Sequence, residues 1–106
     1  MNAVPYVREE EVYKLIDESK LLIIYFTVDW CGSCKIFNPL VDQLAEQYLD
    51  RARVIKFDVD ANRIAAKNMG ISGMPTIFIF QNSKLVKTIR GAVPYKYLNG
   101  IVGKFM

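Results

Sequence analysis

Two cysteines are the only thiols in this chain of 106 residues, and both stand in one run, Trp30-Cys31-Gly32-Ser33-Cys34-Lys35. A thiolate is both a nucleophile and a metal ligand, so a Cys-x-x-Cys pair can exchange disulfides or bind a metal. A structural pair, or two inert core thiols, is the plain alternative. The chain has no histidine, which removes Cys-His nucleophilic chemistry and any imidazole general base. Zinc normally takes four Cys, His or carboxylate ligands, so a site within one chain is disfavoured, although two chains could pool ligands.

The elements around the pair are set by a change of period. Leu21-Leu22-Ile23-Ile24-Tyr25-Phe26-Thr27-Val28 is short, apolar and β-branched, which predicts a strand buried on both faces. Beyond it Ile36, Phe37, Leu40, Val41, Leu44 and Tyr48 recur at helical spacing, which predicts a helix from about Ser33 to Leu49. Cys31 then sits at a helix N-terminus, where free N–H groups and the helix dipole favour a thiolate. In Cys-x-x-Cys motifs such a placement lowers the thiol pKa from about 8.5 to roughly 3.5–7.5. Cys31 is therefore the expected nucleophile. Cys34, one turn into the helix and pointing inward, is the expected resolving thiol.

Length and composition bound the rest. A chain of 106 residues, 52% of them hydrophobic, predicts a single domain spanning residues 1–106 with one core. The net charge of +3, from 14 basic and 11 acidic side chains, is too small and too dispersed to argue for nucleic acid. No stretch approaches the roughly 20 apolar residues of a membrane helix. Met1-Asn2-Ala3-Val4-Pro5 lacks the features of a signal peptide, so a cytoplasmic location is expected. In a reducing compartment an isolated Cys-x-x-Cys is catalytic or metal-binding more often than structural.

In chain order, Ala3 to Val7 is an expected edge strand, restricted by Pro5, which cannot donate to a ladder. Arg8 to Glu18 fits an amphipathic helix with Glu9, Glu10 and Glu11 in its first turn. Pro39 falls inside the long helix, where it removes the bond to the Lys35 carbonyl and should bend the axis. Arg53 to Val59 alternates as a strand, closing a right-handed βαβ unit with a parallel pair. Asp60 is the expected cap of a third helix running to about Met69, and Gly70 its stop. Thr76 to Phe80 and Leu85 to Arg90 form a hairpin across Gln81-Asn82-Ser83-Lys84. Pro94 opens a last helix with Leu98, Ile101, Val102 and Phe105 on its apolar face.

Trp30-Cys31-Gly32-x-Cys34-Lys35, Pro39, Lys56-Phe57-Asp58-Val59-Asp60, Gly70-Ile71-x-Gly73-Met74-Pro75-Thr76 and Gly91 follow one another in the order and at the spacing of one family. Over essentially its whole length the sequence resembles thioredoxin, and Cys-x-x-Cys in a βαβ context is a known signature of thioredoxin-like redox proteins. The resemblance implies an α/β thioredoxin fold: a central mixed five-stranded sheet flanked by four helices, with a reversible dithiol/disulfide site. It also implies a cis Met74-Pro75 bond facing the cysteines, a Met74 backbone that pairs with extended substrate, and a shallow apolar surface lined by Trp30, Gly73, Met74, Pro75, Gly91 and Ala92. Tyr25, Gly32, Ser33, Lys35 and Lys56 are the supporting positions.

Tyr25, Ser33 and Thr27 depart from the family, and the hairpin turn lacks the family's usual glycine. Tyr25 stands where the resemblance implies a buried aspartate behind the cysteines. A phenol titrates near 10 and is a poor base at neutral pH, so activation of Cys34 is expected to be slower, or to use water or a hydroxyl relay. Lys56 thereby loses its usual partner and is expected to pair with Asp58 or, more simply, to snorkel to solvent. Ser33 replaces a proline. Its hydroxyl could donate to the Cys31 thiolate, which is worth roughly 1.5–3 kcal/mol, an upper limit of roughly 30–60 mV towards oxidising, or it could be a neutral helix-start residue. Thr27, in place of a residue that is commonly aromatic, reads as divergence that does not touch the chemistry directly.

The resulting expectation is a thiol-disulfide oxidoreductase that reduces protein disulfides through Cys31 and Cys34. It would act as a monomer, bind no cofactor or metal, and draw electrons from a thioredoxin reductase or an equivalent donor. A disulfide oxidase or isomerase of the same fold, or a protein-binding module with incidental cysteines, is the alternative.

Overall fold

Strand β1, Leu21–Thr27, is buried along its whole length, and its alternation assigns the two faces of the sheet. Leu21, Ile23 and Tyr25 join one cluster with Phe37, Val41, Leu44, Ile77, Ile79, Leu98 and Val102. Leu22, Ile24 and Phe26 join the other with Val12, Ile55, Phe57, Ala65, Ala66 and Phe78. A strand apolar on both faces has to be covered on both. Each fully buried Leu, Ile or Phe contributes about 1.5–3 kcal/mol, which makes this strand the largest local source of cohesion.

The computed structural model describes residues 4–106. Helix α1, Glu9–Glu18, precedes β1; α2, Gly32–Gln47, follows it and leads to β2, Arg53–Asp58. A 3-10 turn, Asp60–Asn62, runs into α3, Arg63–Asn68; then come β3, Thr76–Gln81, β4, Lys84–Arg90, and α4, Tyr95–Gly103. The strands lie in the order β2-β1-β3-β4, with β1 parallel to β2 and antiparallel to β3, and β3 antiparallel to β4. Residues of α2 and α4 fill the first cluster and those of α1 and α3 the second. The hairpin turns through Asn82 and Ser83, both at positive φ, the geometry that matches the twist of a two-residue loop.

The described residues form four strands rather than the five expected. The N-terminal segment contributes one isolated parallel bridge, Tyr6 to Lys56, in which Lys56 N–H donates to the Pro5 carbonyl and Val7 N–H to the Lys56 carbonyl, both at 2.9 Å. Pro5 has no N–H with which to extend the ladder. On the other side Arg8 already serves as the N-cap of α1, its N–H bonded to the Glu11 carboxylate at 3.3 Å. Ala3, where the expected strand began, lies outside the described residues.

The third helix also starts later than expected, at Arg63 and behind the 3-10 turn, with no side-chain cap from its N-cap residue Asn62. The carboxylate of Asp58, not that of Asp60, accepts from the backbone N–H groups of Asp60 and Ala61, at 3.0 and 3.4 Å. At its other end, Gly70 N–H donates to the Lys67 carbonyl and Ile71 N–H to the Ala66 carbonyl, both at 3.0 Å, a Schellman closure. Gly70 makes it possible with φ +79°.

A Cβ at Gly70 meets nothing within 4 Å, so Gly70→Ala isolates the backbone penalty of a left-handed L-residue. The substitution should lower unfolding free energy by about 1–2 kcal/mol, seen as a lower urea midpoint at unchanged slope. An unchanged midpoint would mean that the helix end relaxes freely.

Candidate active site

The turn after β1 delivers Cys31 as the N-cap of α2. Its sulfur accepts the Cys34 backbone N–H at 3.2 Å and lies 3.3 Å from the Ser33 hydroxyl. The first contact uses a backbone N–H that a helix N-terminus leaves free; the second comes from a side chain of the same turn. Burial opposes ionisation of Cys31, but hydrogen bonds from the Cys34 and Ser33 side chains and their backbone N–H groups outweigh it, and its pKa lies below the ordinary thiol value. Cys34, one turn on, is fully buried. Burial and the hydrogen bond with Cys31 push its pKa up, against the Thr27 hydroxyl and the Val28 N–H, which pull it down. Both cysteines are free thiols, poised unequally.

Opposite them the Met74-Pro75 bond is cis, and the Cys31 thiol reaches the Met74 carbonyl at 3.9 Å. The loop is held on both sides: the Thr76 hydroxyl donates to the Gly73 carbonyl at 2.6 Å, and Gly91 N–H donates to the Pro75 carbonyl at 2.8 Å. Gly91 takes φ +85°, with Ala92 exposed beside it. Trp30 is 69% exposed and its indole N–H donates to the Asp60 carboxylate at 2.6 Å, so the ring is fixed although it faces solvent. Gly32 and Lys35 are exposed on the first turn of α2. Cys31, Ser33, Cys34 and Met74 are thus brought together by direct contacts; Trp30, Gly91 and Ala92 flank them.

Behind the cysteines, Tyr25 is fully buried and its hydroxyl donates to the Cys34 carbonyl at 3.1 Å. Burial pushes its pKa far above the ordinary phenol value, with the Thr27 hydroxyl a smaller opposing influence. Tyr25 therefore carries no base into the site.

Lys56 corrects the expectation most sharply. It neither snorkels nor pairs with Asp58. It is 6% exposed, and its ammonium lies 2.9 Å from a carboxylate oxygen of Asp42 and 5.9 Å from the centre of the Tyr6 ring. An ammonium held in the interior needs a counter-charge, and α2 supplies it two turns beyond Cys34. Asp42, Asp60, Thr76 and Thr27 are residues the sequence reading missed or assigned elsewhere. Only Asp42 had a readable signal, as an acidic position between the core residues Val41 and Leu44. Among the described residues no three Cys, Asp or Glu side chains are gathered as a metal site, and no helix is long and apolar enough to cross a membrane.

Asp42→Asn should leave the Lys56 charge in the interior without a partner. Because Asp42 is 37% exposed, the expected loss is about 1–3 kcal/mol, below the cost of breaking a fully buried pair. Adding Lys56→Met should recover most of it. Urea denaturation of the single and double variants checks this, and equal losses in both would show that the pair does not matter.

Comparison with known proteins places this geometry. The thioredoxin family profile matches residues 3–104. The chain is 34% identical over 93 residues to thioredoxin 1 of Synechococcus elongatus, covering 88% of this chain and 87% of the relative. It is 32% identical to a thioredoxin of Synechocystis sp. over the full length of both. A solved mutant thioredoxin from Halobacterium salinarum superposes with a TM-score of 0.87 at 29% identity, covering 99% of this chain and 95% of the other.

Proposed function

We infer the mechanism from a chain that belongs to the thioredoxin family and is a thiol-disulfide oxidoreductase, a reductase of protein disulfides. The inequality of its two thiols carries the reading. One, near the surface, is made easier to ionise by donors at a helix N-terminus; the other, buried one turn behind it, is made harder to ionise.

The Cys31 thiolate attacks one sulfur of a substrate disulfide. A Cys31–substrate bond forms, the substrate S–S bond breaks, and the departing sulfur leaves as a thiolate that takes a proton. Cys34 then loses its proton and attacks Cys31, forming the Cys31–Cys34 disulfide and releasing the second substrate sulfur, also as a thiol. Two electrons have passed from the dithiol to the substrate. The next cycle draws two electrons from a partner, a thioredoxin reductase or equivalent donor, with no cofactor resident in this chain.

Substrate would enter as an extended segment across Met74, whose carbonyl lies near the Cys31 sulfur, over the surface flanked by Trp30, Gly73, Pro75, Gly91 and Ala92. Action as a cytoplasmic monomer is part of the same reading, because the chemistry needs one chain and a reducing compartment.

The Ser33 hydroxyl 3.3 Å from the Cys31 sulfur favours a second reading, in which the same exchange runs towards disulfide formation or isomerisation. A donor to the thiolate stabilises the reduced form and makes the couple more oxidising.

Two measurements test these readings. Cys34→Ser should accumulate a stable Cys31–substrate mixed disulfide, whereas Cys31→Ser should abolish turnover; turnover by the Cys31→Ser protein would overturn the assignment. The midpoint potential, measured in graded thiol/disulfide buffers, should fall near the value of about −270 mV general for thioredoxin. A value tens of millivolts higher, reversed by Ser33→Ala, would select the oxidising direction.

A further inference from the structure

Charge is divided along this chain. Up to Asp60 it carries seven basic and eleven acidic side chains; from Ala61 to Met106 it carries seven basic ones and no Asp or Glu. The bases are spread through the sequence and the acids are not. In the fold the second part becomes α3, β3, β4 and α4, with β4 at the edge of the sheet and α4 packed into the same cluster as Ile89 of β4. Sequence order has become a side of the molecule, built from β4 and α4, that contributes no Asp or Glu of its own.

Five cations stand on that side. Lys84, Lys87 and Arg90 lie along β4, and Lys96 and Lys104 lie at the start and end of α4, all exposed. Arg8, Lys14, Lys56 and Arg63 have carboxylate partners; among the described residues these five have none within ion-pair distance. Lysines and a register shift are ordinary guards of an edge strand against pairing with another chain, and β4 has both. That guard needs only the strand. It does not account for an acid-free helix whose surface, between Lys96 and Lys104, dips into a cavity of about 500 Å3 lined by Pro94, Tyr97, Gly100 and Ile101.

The cationic side also joins the surface around Cys31. Arg90 pairs in register with Thr76, and the next residue, Gly91, donates its N–H to the Pro75 carbonyl at 2.8 Å. From that rim the side runs down β4 at about 3.3 Å per residue, which puts Lys87 about 10 Å further on. We propose that the β4 and α4 side docks the acidic polypeptide flanking a substrate disulfide, so that this reductase selects proteins rich in Asp and Glu beside the bond it breaks. The proposal deepens the reading of Cys31 and Cys34 as a dithiol reductase and rests on it. Opposite charge steers the encounter and orients the substrate chain before Cys31 attacks. A polypeptide fits better than a nucleic acid, because the excess of carboxylates on the first part of the chain repels the continuous negative charge of a duplex.

The test uses three synthetic peptides, each closed by one disulfide and identical except at the flanking positions, which are all Glu, all Gln or all Lys. Released thiols are counted by rapid labelling. At low salt the Glu peptide should be reduced about tenfold faster than the Lys peptide, and the gap should close towards 1 M salt, where screening sets in within about 3 Å. Lys87→Glu/Lys96→Glu should remove the gap while reducing a small uncharged disulfide at the original rate, which also shows that the variant is folded; Lys87→Gln/Lys96→Gln gives a milder form of the same comparison. Lys14→Glu/Arg53→Glu, an equal change of net charge on α1 and the opposite edge strand, should keep most of the gap. Equal rates for the Glu and Lys peptides, a gap that survives Lys87→Glu/Lys96→Glu, or a gap lost equally in both charge-reversed variants would overturn the docking surface. A mixed-sequence DNA duplex bound at physiological salt and released by Lys87→Glu/Lys96→Glu, with no discrimination among the peptides, would assign the side to nucleic acid and overturn it as well. Failure of the unaltered protein to reduce the small uncharged disulfide would instead overturn the reductase reading beneath it.

Discussion

The structure depends on a strand that cannot face water on either side. With every residue of β1 buried, helices have to pack on both faces, and the chain can return beside β1 in parallel only by crossing over through a helix. That crossover is α2, and it must begin where β1 ends. A helix start at the carboxyl end of a buried strand is electrostatically a place for an anion. The position that caps α2 is filled by a cysteine rather than by serine or aspartate, so the bond that finishes the helix is the bond that stabilises a thiolate. Folding and activation draw on one hydrogen bond, from Cys34 N–H to the Cys31 sulfur.

Charge is handled by separation. Cys31 is stabilised at the surface by donors from the first turn of α2. The buried cation Lys56 is balanced from the same helix, but by Asp42, eight residues beyond Cys34 and so about 12 Å further along the axis at 1.5 Å per residue. In between, Tyr25 and Thr27 place hydroxyls, not charges, around the second thiol. The low-dielectric space behind the cysteines is therefore polar without being ionic, and an anion formed there must be steadied by dipoles already pointed at it.

What the sequence made legible follows from locality. Strand β1, the cap position of Cys31 and the Gly70 stop depend on residues a few positions apart, where period and turn chemistry are visible. The fifth strand was misread because alternation at the N-terminus competes with two local facts: Pro5 lacks a donor, and Arg8 is already committed to capping α1. Asp60 looked like a cap because it directly precedes the expected helix start at Ala61, yet it is the first residue of the turn, and Asp58 reaches forward from the strand end and leaves Asp60 to hold Trp30. The partner of Lys56 was invisible from β2 alone, because the pairing crosses from strand to helix. The cis bond at Pro75 came from family likeness; nothing in the local residues distinguishes it from a trans bond.

Thr27 shows why a departure from family pattern can matter where it looks idle. On a strand of apolar residues a threonine passes as β-branched filler, since its methyl and its hydroxyl share one shape and only the neighbours decide which is used. Burial changes the reckoning, because a hydroxyl hidden from water carries a penalty unless it finds a partner. At position 25 the phenol occupies the volume and secures the helix carbonyl. A site with a phenol where a carboxylate is expected has no base there to take up the proton, so its resolving thiol should respond to pH through Cys34 itself and not through a neighbouring carboxylate.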